Sequence, residues 1–366
     1  MKIKGDTVSF EQCDMAFVKK FGLVEATDMV LNFKAGNRLP FLYDTFQLAD
    51  FLGGGRKSLF YYAKHADREY RSIVIKKKNG QPRKLYAPNA DLRLYQSKIQ
   101  RYILAKLPGS PYATAYTKGC TLMHNAAPHV GKRYLLKLDI TDFFGSIRFF
   151  QVYSAAFNTN YFPKQIGVML TALCCREDVL PQGAPTSPAL SNLVMRNFDN
   201  SIGTWCDNHR ISYTRYCDDM TFSSDRPLFP VYQKVRSMLE EMGFELNEKK
   251  TRFVTNATRQ SVTGLTVNKK VAVSSDYKRK LRQEVYYALK FGLSDSIKHA
   301  NMIEFIDDNE PDEDRYLSHL IGKLNFVLHM EPDNQWFQKT LEQVKKKFDV
   351  LYQLSEEASE GENGNE

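Results

Sequence analysis

The chain of 366 residues is 43% hydrophobic and 25% charged, the balance of an ordinary globular protein of two to three domains at ~150 residues each. That excludes a wholly disordered chain, a collagen-like repeat and a small disulfide-stapled scaffold. No apolar run approaches the ~20 residues that cross a bilayer, and none follows Met1, so a cytoplasmic location without membrane contact is expected. Its 51 Lys and Arg against 42 Asp and Glu leave +9, yet Ser355–Glu366 holds five glutamates and no basic residue, so the remaining body carries +14. A basic body points to a polyanionic partner, nucleic acid being the commonest, or to plain solubilising charge. Cys13, Cys120, Cys174, Cys175, Cys206 and Cys217 show no CxxC pair, which argues against zinc and for free, mostly buried thiols.

Residues 1–60 mix short amphipathic pieces and end in Gly53-Gly54-Gly55-Arg56-Lys57. This triple glycine lacks the spacing of a phosphate loop and reads as a flexible hinge. Tyr70–Tyr86 reads as a β-hairpin turning at Asn79-Gly80, with Lys76, Lys77, Lys78, Arg83 and Lys84 at its tip. A helix is expected over Leu92–Leu107, and then a mostly apolar strand, Tyr134–Ile140, ends in Asp139. Leu180–Pro188 is a loop punctuated by Gly and Pro. Ala189–Trp205 has helical periodicity, with Leu190, Leu193, Val194, Phe198 and Ile202 on one face. Ile211–Ser224 reads as strand, tight turn at Asp218-Asp219, strand. Val231–Met242 is a helix that Gly243 stops. Beyond Val262-Thr263-Gly264, helices run from Asp276 to Leu354 around an acidic loop, Asp307–Asp314. There is no internal repeat, and the class is α+β with a helical appendage.

A carboxylate ending a buried apolar strand needs a partner, because an unpaired buried charge is costly. Two adjacent acids at a turn repel each other unless a cation lies between them. Brought together, Asp139 and the Asp218-Asp219 pair would make an oxygen-only pocket suited to Mg²⁺. Two such ions can activate a primer hydroxyl and stabilise the leaving pyrophosphate. Taken alone, Asp-Asp is equally a polar turn.

The surrounding residues change that weighting. Tyr216-Cys217-Asp218-Asp219 resembles the Tyr-x-Asp-Asp box of reverse transcriptases, Leu138–Phe144 their first acidic motif, and Leu180–Asn192 the loop and helix between the two. Asn125-Ala126-Ala127-Pro128-His129 matches the NAxxH pattern of retron reverse transcriptases, and Val262-Thr263-Gly264 their VTG pattern. Tyr70–Ala87 resembles the fingers hairpin and Leu246–Thr251 the lysine-bearing segment after the catalytic hairpin. Gly322–Phe326 resembles a thumb motif shared with group II intron enzymes. The resemblance covers residues 60–345.

It implies a right-hand polymerase, with fingers over 61–134 and 151–180 and a palm over 135–150 and 181–272. A helical, RNA-binding thumb spans 273–354, and an N-terminal extension (1–60) and a disordered acidic tail (355–366) complete the chain. By resemblance, Asp139 and Asp218 are the principal ligands of two Mg²⁺ ions, joined by the Ile140 carbonyl, with Asp219 a third acid beside them. Phe144 matches the steric gate against a ribose 2′-hydroxyl; without the motif it reads as a core aromatic. Gln182 and Gly183 face the incoming nucleotide. Arg83, with Lys84, clamps the triphosphate, or belongs to a solvated basic face. Lys249 or Lys250 neutralises the leaving group. Cys217 stands where alanine is common, as a packing residue or an oxidisable switch.

Asn125 and His129 are expected either to serve structurally, as a cap and a satisfied histidine, or to contact RNA and assist priming. Val262–Gly264 would lie near the primer grip. Lys278, Arg279, Lys280 and Arg282 could track a phosphate backbone, with Tyr286 and Tyr287 as aromatic surfaces, one of them core. Such a thumb would read an RNA stem-loop.

The function so implied is that of a retron enzyme. It binds a cognate non-coding RNA, primes from a guanosine 2′-hydroxyl and copies part of that RNA from dNTPs into branched, RNA-linked single-stranded DNA (msDNA). A host RNase H would remove template, and an effector protein would act alongside in anti-phage defence. The alternatives are another bacterial reverse transcriptase (group II intron-like or diversity-generating), a non-catalytic RNA-binding scaffold of the same fold, and a template-independent polymerase.

Overall fold

The structure, a computed structural model, describes residues 39–76, 80, 82–300, 302–307 and 310–348. Most of the N-terminal extension, the hairpin-tip residues 77–79 and the acidic tail lie outside them. The chain divides into two compact units, one ending at Thr121 and resuming over Arg133–Val254, the other formed by Leu122–Lys132 and the chain from Thr255 onward.

In the first unit, β1 (Tyr70–Lys76) and β2 (Pro82–Pro88) form the expected hairpin, with Tyr70 opposite Pro88 and Lys76 opposite Pro82. Four further strands, β3 (Tyr134–Asp139), β4 (Ser212–Tyr216), β5 (Asp219–Ser224) and β6 (Arg252–Thr255), make a sheet in the order β4-β5-β3-β6. β3 and β5 are buried on both faces, with Leu135, Leu136, Leu138, Met220 and Phe222 in the core; β3 accordingly reads as a mostly apolar run, while β5 alternates Met220 and Phe222 with the buried polar Thr221 and Ser223. The helix Ser187–Asn208 buries Leu190, Leu193, Val194, Phe198 and Ile202 against this core, the face the periodicity gives. The helix expected over Leu92–Leu107 runs from Ala90 to Tyr102, and a 3₁₀ turn, Leu104–Lys106, ends that stretch.

The triple glycine is not a hinge. Gly53, at φ 73°, closes the helix Thr45–Leu52, its N–H bonding back to the last turn. A Cβ on Gly54 would lie 2.0 Å from the Tyr95 hydroxyl oxygen, so the chain turns a packed corner before the helix Arg56–His65.

The second unit holds the helix Leu122–Ala126, the turn Ala127–His129, and a small sheet of β7 (Ser261–Val262), β8 (Leu265–Thr266) and β9 (Ala272–Val273). Thr263 (φ 44°) and Gly264 (φ 86°) make the two-residue β7–β8 turn, where positive φ at both positions matches the strand twist. Helices Ser275–Phe291, Leu293–His299, Glu313–Met330 and Gln335–Lys347 follow. Part of the expected acidic loop is paired, with Ile306–Asp307 against Glu310–Pro311. Among the described residues no helix is long and apolar enough to cross a membrane. The described residues combine helices with antiparallel strands, the expected α+β class.

Candidate active site

β3 ends where β5 begins, so antiparallel register sets Asp139 opposite Asp219 and Tyr216 opposite the same residue. Only Cys217 and Asp218 are left to connect β4 to β5. Cys217 adopts φ 60°, the left-handed conformation that such turns usually give to glycine and that costs another residue about 1 kcal/mol. The Ile140 N–H donates to the Asp218 carbonyl at 3.3 Å, laying the end of β3 against this turn. Three carboxylates therefore stand at the ends of two paired strands.

The segment after Gly243 passes the same strand end, its Asn247 N–H donating to the Asp139 carbonyl at 2.8 Å. Lys250 follows in the same segment, and its ammonium bonds both carboxylate oxygens of Asp139 at 2.9 and 2.8 Å. Asp139 is 7% exposed and Lys250 60%. Partial burial disfavours the charged lysine, but the Asp139 hydrogen bond and the Asp139, Asp218 and Asp219 charges outweigh it and raise its pKa. Burial, then the charges of Asp218 and Asp139, push Asp219 up to about 6. Of the two lysines the sequence left open, Lys250 is the one at the acids; Lys249 is exposed.

The donors here are carboxylate and carbonyl oxygens, the chemistry of a hard divalent cation, and the raised Asp219 pKa is that of an acid partly buried and then crowded by like charge. Among the described residues, no three His, Cys, Asp or Glu side chains are already gathered to hold an ion.

Around the acids, Phe144 is half-buried and packs on Phe143 with ring centroids 5.5 Å apart. The loop carrying Gln182 and Gly183 is fastened to β2 by the Tyr86 N–H, which donates to the Gln182 carbonyl at 2.8 Å. Gly183 sits at φ 119°, and a Cβ there would stand 3.0 Å from the Tyr86 carbonyl oxygen, so only glycine suits the position. Arg83 and Lys84 are exposed and project to opposite faces of the ribbon. Lys84 shares the Tyr86 face, its ammonium 5.5 Å from that ring. Cys217 is buried, and burial followed by the Asp218 charge pushes its thiol up to about 12. It supplies no reactive thiolate, which favours packing over oxidation.

In the second unit, Asn125 and His129 are both buried. The Asn125 amide nitrogen donates to the Thr263 hydroxyl oxygen at 3.4 Å, and the Gly131 N–H to the Val267 carbonyl at 3.0 Å. Burial pushes His129 down to about 3. The NAxxH and VTG segments are thus two sides of one packed structure, in which Asn125 and His129 are both buried. Val262 is buried too. Lys278 does not face solvent as expected: it bonds both oxygens of buried Glu331, at 2.8 and 2.9 Å. Glu331 also accepts from the Val273 N–H at 2.9 Å. Arg279 and Lys280 are exposed, and the Arg282 guanidinium lies 5.1 Å from the Trp336 ring. Tyr286 is exposed, and Tyr287 is half-buried against Phe291.

Sequence reasoning missed Arg215, whose side chain is wholly buried beside the Cys217–Asp218 turn. An arginine in the middle of a strand, two positions before an apparent turn, is the only signal the sequence offers of a buried charge with an acid partner, and Asp199 is that partner.

Residues 75–283 match the family described as "Reverse transcriptase (RNA-dependent DNA polymerase)". The chain is 30% identical over 276 residues to the Retron Ec86 reverse transcriptase of Escherichia coli, an alignment covering 74% of this chain and 86% of that one. It is 30% identical over 302 residues to the Retron Mx65 reverse transcriptase of Myxococcus xanthus, covering 75% and 65%. Against the Retron Se72 reverse transcriptase of Salmonella heidelberg it is 30% identical over 255 residues, covering 67% of each.

Proposed function

The chain belongs to the retron reverse transcriptases and is an RNA-directed DNA polymerase; from that premise we propose that it binds a cognate non-coding RNA, primes from a guanosine 2′-hydroxyl and makes branched, RNA-linked single-stranded DNA. The observation that carries the chemistry is the register that opposes Asp139 to Asp219, with Asp218 in the intervening turn and Lys250 against Asp139. Two Mg²⁺ ions, held by Asp139, Asp218, Asp219 and the Ile140 carbonyl, would activate the primer hydroxyl and neutralise the developing pyrophosphate.

The protein's own residues then align the reactants. Lys250 supplies positive charge beside the leaving group, and Arg83 binds the triphosphate from the hairpin, with Lys84 next to it. Gln182 and Gly183 form the shelf for the nucleotide, held in place by Tyr86, and the Phe144 ring excludes a ribose 2′-hydroxyl. On this reading, residues 61–134 and 151–180 act as fingers, 135–150 and 181–272 as palm, and 273–354 as an RNA-binding thumb. The setting is the bacterial cytoplasm, with a host RNase H trimming template and an effector protein completing an anti-phage system. These last elements rest on kinship with retron enzymes.

The test joins a mutant to a product analysis. Asp218→Asn with Asp219→Asn is expected to abolish DNA synthesis and leave RNA affinity intact; full activity would remove these acids from the metal site. Nucleic acid co-purified from the host, treated with RNase and then a debranching enzyme, should yield a short DNA whose gel mobility shifts on debranching. Unbranched DNA would overturn the priming chemistry, and RNA without DNA would favour a binding scaffold.

A further inference from the structure

The turn that carries Asp218 is held from below by a side chain two positions upstream of Cys217. Arg215 lies on β4, is 0% exposed, and donates four hydrogen bonds through its guanidinium. Its Nε and Nη2 donate to the two oxygens of Asp199 at 2.8 and 2.6 Å. Its Nη1 donates to the Asn192 side-chain oxygen at 3.1 Å and to the Cys217 carbonyl at 2.9 Å. That last bond falls on the residue held at φ 60°, immediately before Asp218. The acceptors are fixed in turn. Asp199 also accepts from the Tyr213 hydroxyl at 2.7 Å, and the Asn192 amide donates to the Ala115 carbonyl at 2.8 Å. The Arg215 main chain is tied to Tyr112 and Thr114 at 2.8 and 2.9 Å.

Asp199 and Asn192 both belong to the helix Ser187–Asn208. That helix starts at the end of the loop bearing Gln182 and Gly183, and Ser187 bonds the Pro181 carbonyl at 2.6 Å. One rigid element therefore touches the nucleotide shelf at its start and the catalytic turn through Arg215. A buried ion pair is by itself weak support for stability, since apolar residues of similar volume often serve as well. Arginine's planar fork does something a point charge cannot: it reaches a carboxylate, an amide and a main-chain carbonyl at once.

We infer that Arg215, through Asp199 and Asn192, is a positioning residue for nucleotide addition, fixing the Cys217–Asp218 turn so that the Asp218 carboxylate meets Asp139 and Asp219. This rests on the assignment of those acids under the proposed function. It touches neither substrate nor metal, and its effect passes through the backbone of the turn.

Two variants of the full chain test it. Arg215→Lys keeps the charge beside Asp199 but loses the fork. Arg215→Met with Asp199→Asn removes both charges while leaving Tyr213 an acceptor. Both should stay folded at the assay temperature with a lowered melting temperature, and both should lower kcat for single-dNTP addition on an RNA template with a DNA primer by roughly 10- to 100-fold, beyond what the lost stability accounts for. The dNTP KM should hold within about twofold. A Mn²⁺ titration followed by electron paramagnetic resonance, read without turnover, should show weakened binding in both. A merely structural role makes activity follow the melting temperature, so a stable double variant with native kcat and native Mn²⁺ affinity overturns the inference. So does loss of fold in both variants, which would make the network a support for the whole unit. If Asp218→Asn with Asp219→Asn retains synthesis, the metal-site assignment itself has failed. If that mutant is dead and the Arg215 variants are fully active, only the clamp has failed.

Discussion

His129 gives a direct measure of whether the NAxxH segment is built into the fold. Its ring is 0% exposed, and burial holds its pKa at about 3 against an ordinary 6.5. Below pH 6.5 the unfolded chain takes up a proton at this ring that the folded chain refuses until about pH 3, so acidification favours unfolding. The stability contribution is intact above the unfolded value and is lost progressively as pH falls through that window. At pH 5 the gap from the unfolded pKa is about 1.5 units, and at ~1.4 kcal/mol per unit the loss relative to pH 7.5 is about 2 kcal/mol. Other groups titrate in the same range, so the comparison is with His129→Gln. That variant starts less stable but should lose about 2 kcal/mol less between pH 7.5 and 5. The chain has two tryptophans, and Trp205→Phe leaves Trp336, in the same unit as His129, as the fluorescence reporter for urea unfolding at each pH. Equal acid losses in the two proteins would refute the buried, neutral ring and return His129 to solvent, where an RNA contact becomes tenable.

Two further outcomes discriminate among the basic residues. Lys250→Gln should slow single-turnover nucleotide addition by roughly two orders of magnitude, as expected for a charge lost beside the reacting phosphates; a larger loss in Lys249→Gln would reverse the assignment. Lys278→Ala strips buried Glu331 of its cation and should cost on the order of 2 kcal/mol of stability, read by urea titration, with no change in the salt dependence of RNA binding. Arg279→Ala with Lys280→Ala should instead leave stability alone and flatten the slope of log affinity against log salt by about 1–2. An unchanged slope would remove this helix face from the RNA interface.

What the sequence made legible and what it hid divide along physical lines. Asp139, Asp218 and Asp219 were legible because their residue types and order are linear properties, and the short β-branched and aromatic segments beside them favour strands. The helix Ser187–Asn208 was legible from its repeat of Leu190, Leu193, Val194, Phe198 and Ile202. The choice between Lys249 and Lys250 was hidden because it turns on contacts distant in the chain, the Asn247 N–H on the Asp139 carbonyl and the Lys250 ammonium on the Asp139 carboxylate. Gly53–Gly55 reads as loose by composition, yet Tyr95, distant in the chain, fills the space beside Gly54. Lys278 looks like one of four cations on a helix face, and only the fold reveals Glu331 behind it. Arg215 is the same problem inverted, a charge whose acceptors Asp199 and Asn192 precede it by 16 and 23 positions. Tracking a polyanion requires only sign and face, so a misplaced lysine among several costs little. Phosphoryl transfer requires carboxylates set to a fraction of an ångström, and here that setting comes from strand register, a two-residue turn and a buried guanidinium. Strand register and turn length follow from the chain's local pattern. The guanidinium's partners do not, and the step that most needs exact geometry is therefore the one whose support was least visible in the sequence.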